Sequence, residues 1–262
     1  MKANLPIIYT CDQLPNKGRE HFIREHALIY IQSGCLTVND GKKTYSFKTG
    51  DFLFLQRNHL AKFSQEPDAE GEFSSVSIYF NQEMLQCASA EDHFEIEKGH
   101  DAHVVRALAA KPMLRDYLES LTSISQTPDR TDHNFLKLKV KEVLILLLES
   151  HPEFKNILFD FNVPRKKDLK TFMEHNYHFM VSLDCFAYLT GRSSAAFKRD
   201  FIYLFHINPE RWIHHRRLQK AYQLIKEQGE MPVNVYQEVG FKSLTHFSFS
   251  FKRLFGVNPS SI

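Results

Sequence analysis

The sequence is poor in the residues that most directly announce chemistry. Its four cysteines, Cys11, Cys35, Cys87 and Cys185, are scattered over 262 residues without a CxxC pair. That leaves neither a zinc knot nor a dithiol redox couple, and they read as small buried or surface thiols. The ten glycines are equally dispersed, so no glycine-rich loop is available to cradle a phosphate. No Ser/His/Asp or Cys/His grouping can be picked out, and no catalytic residue, metal ligand or cofactor is assigned. Long apolar runs are missing too. The longest purely aliphatic one, Val143 to Leu148, falls far short of the ~20 residues a bilayer demands. The opening residues lack the basic, apolar, small-residue order of a signal peptide. The expectation is a soluble cytoplasmic protein with no membrane partner and no enzymatic activity.

What is present is an ordinary globular composition, 43% hydrophobic and 24% charged. The length exceeds the roughly 100–200 residues of one domain, so two domains are expected. Net charge is only +2, but it is unevenly spread. From Arg165 onward the chain has 15 Lys+Arg against 8 Asp+Glu, a net +7, whereas the preceding part has 18 against 23, a net −5. A basic module for a polyanion, joined to an acidic module with another task, accounts for that asymmetry.

Between Ala27 and Phe80 the sequence is strand-like: "ALIYIQSG", "CLTVNDG", "KKTYSFKTG", "DFLFLQRN" and "EFSSVSIYF". Tyr45/Phe47 and Phe52/Phe54 alternate with period two, and Asp40-Gly41 and Thr49-Gly50 supply turns. An antiparallel sandwich or small barrel follows. Helical periodicity takes over at about 101–150. "DAHVVRALAAKPMLRDYLESL" reads as one helical stretch that Pro112 kinks or divides. "DHNFLKLKVKEVLILLLES" is a second helix, with Leu136, Val140, Val143, Leu144 and Leu147 on its apolar stripe. That apolar surface widens to Ile145, Leu146 and Leu148, which suits either a helix packed against the sheet on several sides or one that also meets a second subunit. Residues 151–165, with two prolines and the start of a basic cluster, are placed as the linker.

The basic part repeats itself. "FKRDFIYLFHINP", Phe197 to Pro209, returns as "FSFSFKRLFGVNP", Phe247 to Pro259. Phe197, Phe201, Leu204 and Phe205 fall on one helical face, as do Phe247, Phe251, Leu254 and Phe255. Ser193 and Ser243 are the expected N-caps. Asn208-Pro209 and Asn258-Pro259 each supply an N-cap position followed by proline at the first helical residue. "SLDCFAYLTG" and "PVNVYQEVGFK" supply a preceding short helix, with Gly191 and Gly240 where it must stop. Each copy is therefore a helix-turn-helix, at about 182–205 and 232–255. With the phenylalanines buried, Ala195, Lys198, Arg199 and Ile202 face outward on one copy, and Ser193, Ser194 and Ser243 at the helix starts are further DNA-contact candidates. Thr245, His246, Ser248, Phe249, Lys252 and Arg253 do so on the other. Arginine and lysine on an exposed helix pair with guanine, and small or apolar groups meet thymine methyls. Pro209 to Glu227 reads as one connecting helix of roughly 28 Å, against about 34 Å between successive major grooves. Arg216, Arg217 and Lys220 on it are phosphate contacts or solvated charge.

These C-terminal hundred residues, through "SLDCFAYLTGRSSAAFKRDF" and "VGFKSLTHFSFSFKRLFGVNPS", resemble the DNA-binding domain of the AraC/XylS family of bacterial transcription regulators. The N-terminal part is similar to that family's cupin-like effector and dimerisation domain through "EHALIYIQSGCLTV" and "KTYSFKTGDFLFLQRNHLAKF". The resemblance implies an α+β, two-domain fold. A cupin-like antiparallel barrel or sandwich followed by helices would occupy 1–150. An all-α domain of seven helices, with two helix-turn-helix units and a connecting helix, would occupy 166–262. It implies base contacts by Ala195, Lys198, Arg199, Thr245 and His246. A basic residue is common where Phe249 stands, and thymine contact or packing takes its place here. Double-stranded promoter DNA, RNA polymerase, a small-molecule or protein effector and a second copy are the implied partners, at the nucleoid, and activation is the commoner behaviour of the family. Metal-binding cupins have an HxH pair, a following glutamate and a further histidine. Here His26 and His59 stand alone, so a cupin metalloenzyme is the second hypothesis and a helical protein-binding adaptor the third. Metal analysis would separate the former, and a gel shift with competitor DNA the latter.

Overall fold

A computed structural model describes residues 6–92, 103–109, 111–125 and 133–262. The chain divides into two compact units, one ending at Asn162 and the other running from Val163 to Ile262.

The first unit holds nine strands among the described residues: β1 Ile7–Asp12, β2 Asn16–Ile23, β3 His26–Ser33, β4 Cys35–Asn39, β5 Thr44–Lys48, β6 Phe52–Leu55, β7 His59–Glu66, β8 Phe73–Phe80 and β9 Val105–Leu108. They pair in two antiparallel sheets, ordered β1-β8-β3-β6-β9 and β2-β7-β4-β5. In the first sheet Leu28 lies opposite Phe54 and Ile78, while Ala27 lies opposite Leu55 and Tyr79. Leu28, Phe52, Phe54, Val76 and Ile78 pack into one core with the helices. The alternate residues Ala27, Ile29, Leu53 and Leu55 pack into another with Leu36, Val38 and Phe47 of the second sheet. A sheet buried on both faces has no polar side to show, which is why "FLFL" of β6 is apolar at every position. The edge strand β5 keeps the alternation instead, exposing Thr44, Ser46 and Lys48 around buried Phe47.

Helices α1 Gln82–Asp92, α2 Pro112–Ser125 and α3 His133–Ser150 complete this unit with a short turn, Pro152–Phe154, and α4 Lys155–Leu158. Three expectations are corrected here. Val105–Leu108 is a strand paired with β6, and Pro112, at the first position of α2, starts that helix; residues 101–102 and 110 of the expected helix lie outside the described residues. Proline at a helix start gives up no needed N–H and presets φ, so it begins a helix more readily than it bends one. The expected linker is also partly core, because Phe154, Ile157, Leu158 and Phe159 are buried against α3 and the first sheet. The dimerisation stripe is turned inward as well: Val140, Val143, Leu144 and Leu147 are fully buried in the subunit's own core and Leu136 packs against it. The exposed apolar residues of α3 are Leu138 and Ile145. Three structures converge on this helix from different sides, which explains its broad apolar surface.

The end of the unit is held by a buried pair. His26 stacks on Phe54 with ring centroids 5.5 Å apart, and its Nδ1 accepts the Arg57 backbone N–H at 3.3 Å. The Arg57 guanidinium donates to the carbonyls of Asp160 and Asn162. Burial, with the Arg57 charge and His59 adding to it, pushes the His26 imidazole down to about 3.

The second unit contains α5 Leu169–Asn176, α6 Leu183–Leu189, α7 Ser194–Phe205, α8 Pro209–Gln228, α9 Pro232–Glu238 and α10 Leu244–Phe255, followed by a turn of 3-10 helix at Pro259–Ser261. Two aromatic clusters make its interior. Phe197 and Phe201 are fully buried, with Phe205 at 4.3 Å and Trp212 at 5.6 Å from Phe201 by ring centroids. Phe247 and Phe251 are likewise buried, with Phe255 4.6 Å and Tyr222 6.2 Å from Phe251. Leu204 and Leu254, expected on these faces, are exposed. Both sit in the last turn, where Phe205 and Phe255 already close a small core.

Candidate nucleic-acid interface

The first motif is α6, a tight turn and α7. Ser182 caps α6 by accepting the Cys185 N–H. At its end the buried Thr190 hydroxyl donates back toward Phe186 and Ala187 carbonyls. Gly191 follows at φ +66, and a Cβ there would lie 2.6–2.7 Å from backbone atoms of Pro164, Arg165 and Lys166. Glycine is thus required twice, by the left-handed backbone and by the incoming chain pressed against it. Ser193 then caps α7 through the Ala196 N–H, and Ser243 caps α10 through the His246 N–H. Asn208 occupies its N-cap position without a side-chain bond, with Pro209 in the first turn of α8.

On α7 the structure brings Ser193, Ser194, Ala195, Lys198, Arg199 and Ile202 to the surface. The Arg199 side chain is 77% exposed and lies 3.4 Å from Asp200; that of Lys198 is 55% exposed and lies 3.9 Å from Glu210. Exposed pairs at these distances hold little energy, so both cations are available for exchange to another anion. The Ser194 hydroxyl differs, since it is already donated to Asp184 on α6. On α10, Ser243, Thr245, His246, Phe249, Lys252 and Arg253 are exposed, Phe249 to 66%, and Ser248 is half-buried. Lys252 and Arg253 also stand in the last turn of α10, where positive charge complements the helix dipole.

The connecting helix sorts its basic residues. Arg216 is half-buried, its guanidinium over the rings of Tyr177 and Trp212 at 5.5 and 5.4 Å. Arg217 points inward to three backbone carbonyls, so the reading of it as phosphate contact or solvated charge is corrected. Arg192, not among the expected site residues, anchors the turn of the first motif. Its Nε donates to Asp200 at 3.1 Å, and its Nη1 donates to the carbonyls of Lys167 and Thr190 at 3.0 and 2.8 Å. This bond with Arg192 holds the Asp200 carboxyl below its usual range and α7 against the turn. An arginine directly after Gly191 was the available signal.

His26 is enclosed as described, and His59 Nδ1 is 2.8 Å from the Arg57 carbonyl. Among the described residues no group of three or more His, Cys, Asp or Glu side chains could hold a metal ion, and no helix is long and apolar enough to cross a membrane.

An antiparallel β unit followed by a unit with two capped, outward-charged helix-turn-helix motifs defines a two-part transcription regulator. Comparison with known proteins agrees. Residues 26–157 match the ExsA N-terminal regulatory domain, and residues 186–262 match a helix-turn-helix domain. The chain belongs to the AraC/XylS family of helix-turn-helix transcription regulators. The HTH-type transcriptional regulator MtrA of Neisseria gonorrhoeae is 33% identical over 256 residues, spanning 88% of this chain and 83% of that protein. The HTH-type transcriptional regulator ExsA of Pseudomonas aeruginosa is 27% identical over 242 residues, 90% of this chain and 85% of that protein. The virulence regulon transcriptional activator VirF of Yersinia enterocolitica is 26% identical over 247 residues, 90% and 88%.

Proposed function

We propose that each subunit lays α7 and α10 into two consecutive major grooves of one duplex and activates transcription from the promoter it occupies. The observation that carries this reading is the paired geometry. Two helices, each capped by a serine and anchored by two buried phenylalanines, are joined by the 20 residues of α8, about 30 Å at 1.5 Å per residue. Ala195, Lys198 and Arg199 on one, and Thr245, His246 and Phe249 on the other, are the base-reading residues. Ser193, Ser243, Arg216, Lys252 and Arg253 are the phosphate and sugar contacts that set register, while Ser194, expected among them, donates its hydroxyl proton to Asp184. Phe249 offers a flat apolar surface to thymine methyls. Activation is supported by VirF, whose name describes an activator, and it implies a contact with RNA polymerase at the promoter.

The first unit is the controlling one. A cavity of about 940 Å³ within it, walled by Ile29, Leu36, Leu55 and Phe63 and bordered by Ser75 and Ser77, is of the size that small ligands occupy. It favours a small-molecule effector over a protein one. A second copy would be met by the exposed Leu138 and Ile145 of α3 rather than by the buried stripe.

Arg199→Ala is expected to relax base preference at one position and to cost about 1–3 kcal/mol on the specific site. Binding across a pool randomised at that site measures it. Uniform weakening on every sequence would reassign Arg199 to the phosphate backbone.

A further inference from the structure

Arg217 lies in the middle of α8 and is half-buried. Its Nε donates to the Tyr177 carbonyl at 3.3 Å, its Nη2 to the Phe179 carbonyl at 3.0 Å and its Nη1 to the Gly240 carbonyl at 3.2 Å. Tyr177 and Phe179 belong to the segment that leads into α6, the start of the first helix-turn-helix. Gly240 is the turn of the second. One guanidinium therefore ties the segment that enters the first motif to the turn of the second. Gly240 is buried at φ +87, and a Cβ there would come within 3.0 Å of Arg217 Cζ and 3.1 Å of its Nε. The glycine thus leaves room for the guanidinium to close on the turn.

Its neighbours on α8 each serve one side. Trp212 packs on Phe201 and Phe205 of the first motif, at 5.6 and 4.9 Å between ring centroids. His214 packs on Phe241 and His246 of the second, at 5.3 and 6.0 Å. Aromatic contacts tolerate some sliding and rotation, whereas a planar fork holding three carbonyls fixes direction as well as distance.

We infer that Arg217 is a positioning residue that locks the rotation of one helix-turn-helix relative to the other, and so sets the interval between the two base-pair boxes that the protein accepts. This rests on the two-groove reading proposed above. One base pair of added interval moves the second box by about 3.4 Å and turns it by about 34–36° around the duplex. A rigid pair of reading helices rejects such a change, and a loosened pair follows it. Lysine keeps the charge but has no planar fork to span three carbonyls, so Arg217→Lys separates geometry from charge, and Arg217→Met removes both.

The test uses the full chain in two stages. Wild-type protein first selects its boxes from random duplex DNA, and then binds a pool in which only the interval between those boxes varies. Wild type is expected to take one interval and to bind its one-base-pair neighbours about tenfold more weakly, as for a mismatched contact. Both variants are expected to keep the boxes but to bind the three intervals within about threefold of one another. Helical circular dichroism on heating checks folding; should Arg217→Met fail to fold, Arg217→Lys decides. A folded variant that binds more weakly at every interval yet keeps the wild-type preference overturns the inference. If wild type selects no paired boxes at all, the two-groove reading falls first, and this inference falls with it.

Discussion

Phe251→Ala is expected to remove about 3–5 kcal/mol from the stability of the second unit, the usual loss for a buried phenylalanine. The total for a small domain is about 5–15 kcal/mol, so the loss is a large fraction of the whole and should show as a much lower urea midpoint. Phe251 is fully buried between Phe247, Phe255 and Tyr222, in a core too small to close over the space it would leave. Trp212, the chain's one tryptophan, lies in this unit, so its fluorescence in urea reads this unit's unfolding. Phe249, two residues away on the same helix, is 66% exposed. Phe249→Ala should therefore change the urea midpoint by an amount equivalent to less than about 0.5 kcal/mol, while still altering DNA preference. Equal destabilisation by the two substitutions would mean that the buried and outward faces of α10 are wrongly assigned.

Lowering the pH from about 7 to about 4 is expected to take about 3 kcal/mol from the first unit through His26 alone. The folded unit holds this imidazole neutral down to about 3, against an ordinary value of 6.5. Above 6.5 neither state carries the proton, and stability is whole. Between 6.5 and about 3 the unfolded chain takes up a proton that the fold refuses, so stability falls steadily with pH. The cause is physical enclosure: a cation there would be buried against Phe54 and beside the Arg57 charge. Urea unfolding followed by the β-sheet circular dichroism signal at several pH values measures the slope. His26→Gln should flatten it, and an unchanged slope in that variant would move the acid sensitivity to other groups.

Sequence pattern carried the second unit further than the first, for reasons visible at particular residues. In the helix-turn-helix units the cap, the aromatic row and the stop glycine are local features. Ser193, Phe197, Phe201 and Gly191 therefore announced their positions. Arg217 was opaque because its three partners lie 23 to 40 residues away, and nothing in "HHRR" tells which arginine turns inward. The strand β2, "NKGREHFI", lies at a sheet edge and has too many charges for an apolar row to show. β9 has four residues, borrows its stability from pairing with β6, and sits just ahead of a helix. The stripe of α3 was correctly apolar, but an apolar stripe does not state what covers it. Here α2, the sheet and residues 154–159 of the same subunit do.

Two-groove reading by one subunit is tested most directly by guanine methylation interference on a duplex selected by the full-length protein. Methylating N7 puts a methyl group in the major groove at every guanine, and so obstructs α7, with Lys198 and Arg199, and α10, with Thr245, His246 and Phe249, alike. Interference is expected in two short clusters centred about 10–10.5 base pairs apart for each bound subunit, on one side of the helix. A lone cluster per subunit, or tight binding that methylation nowhere disturbs, would contradict the account.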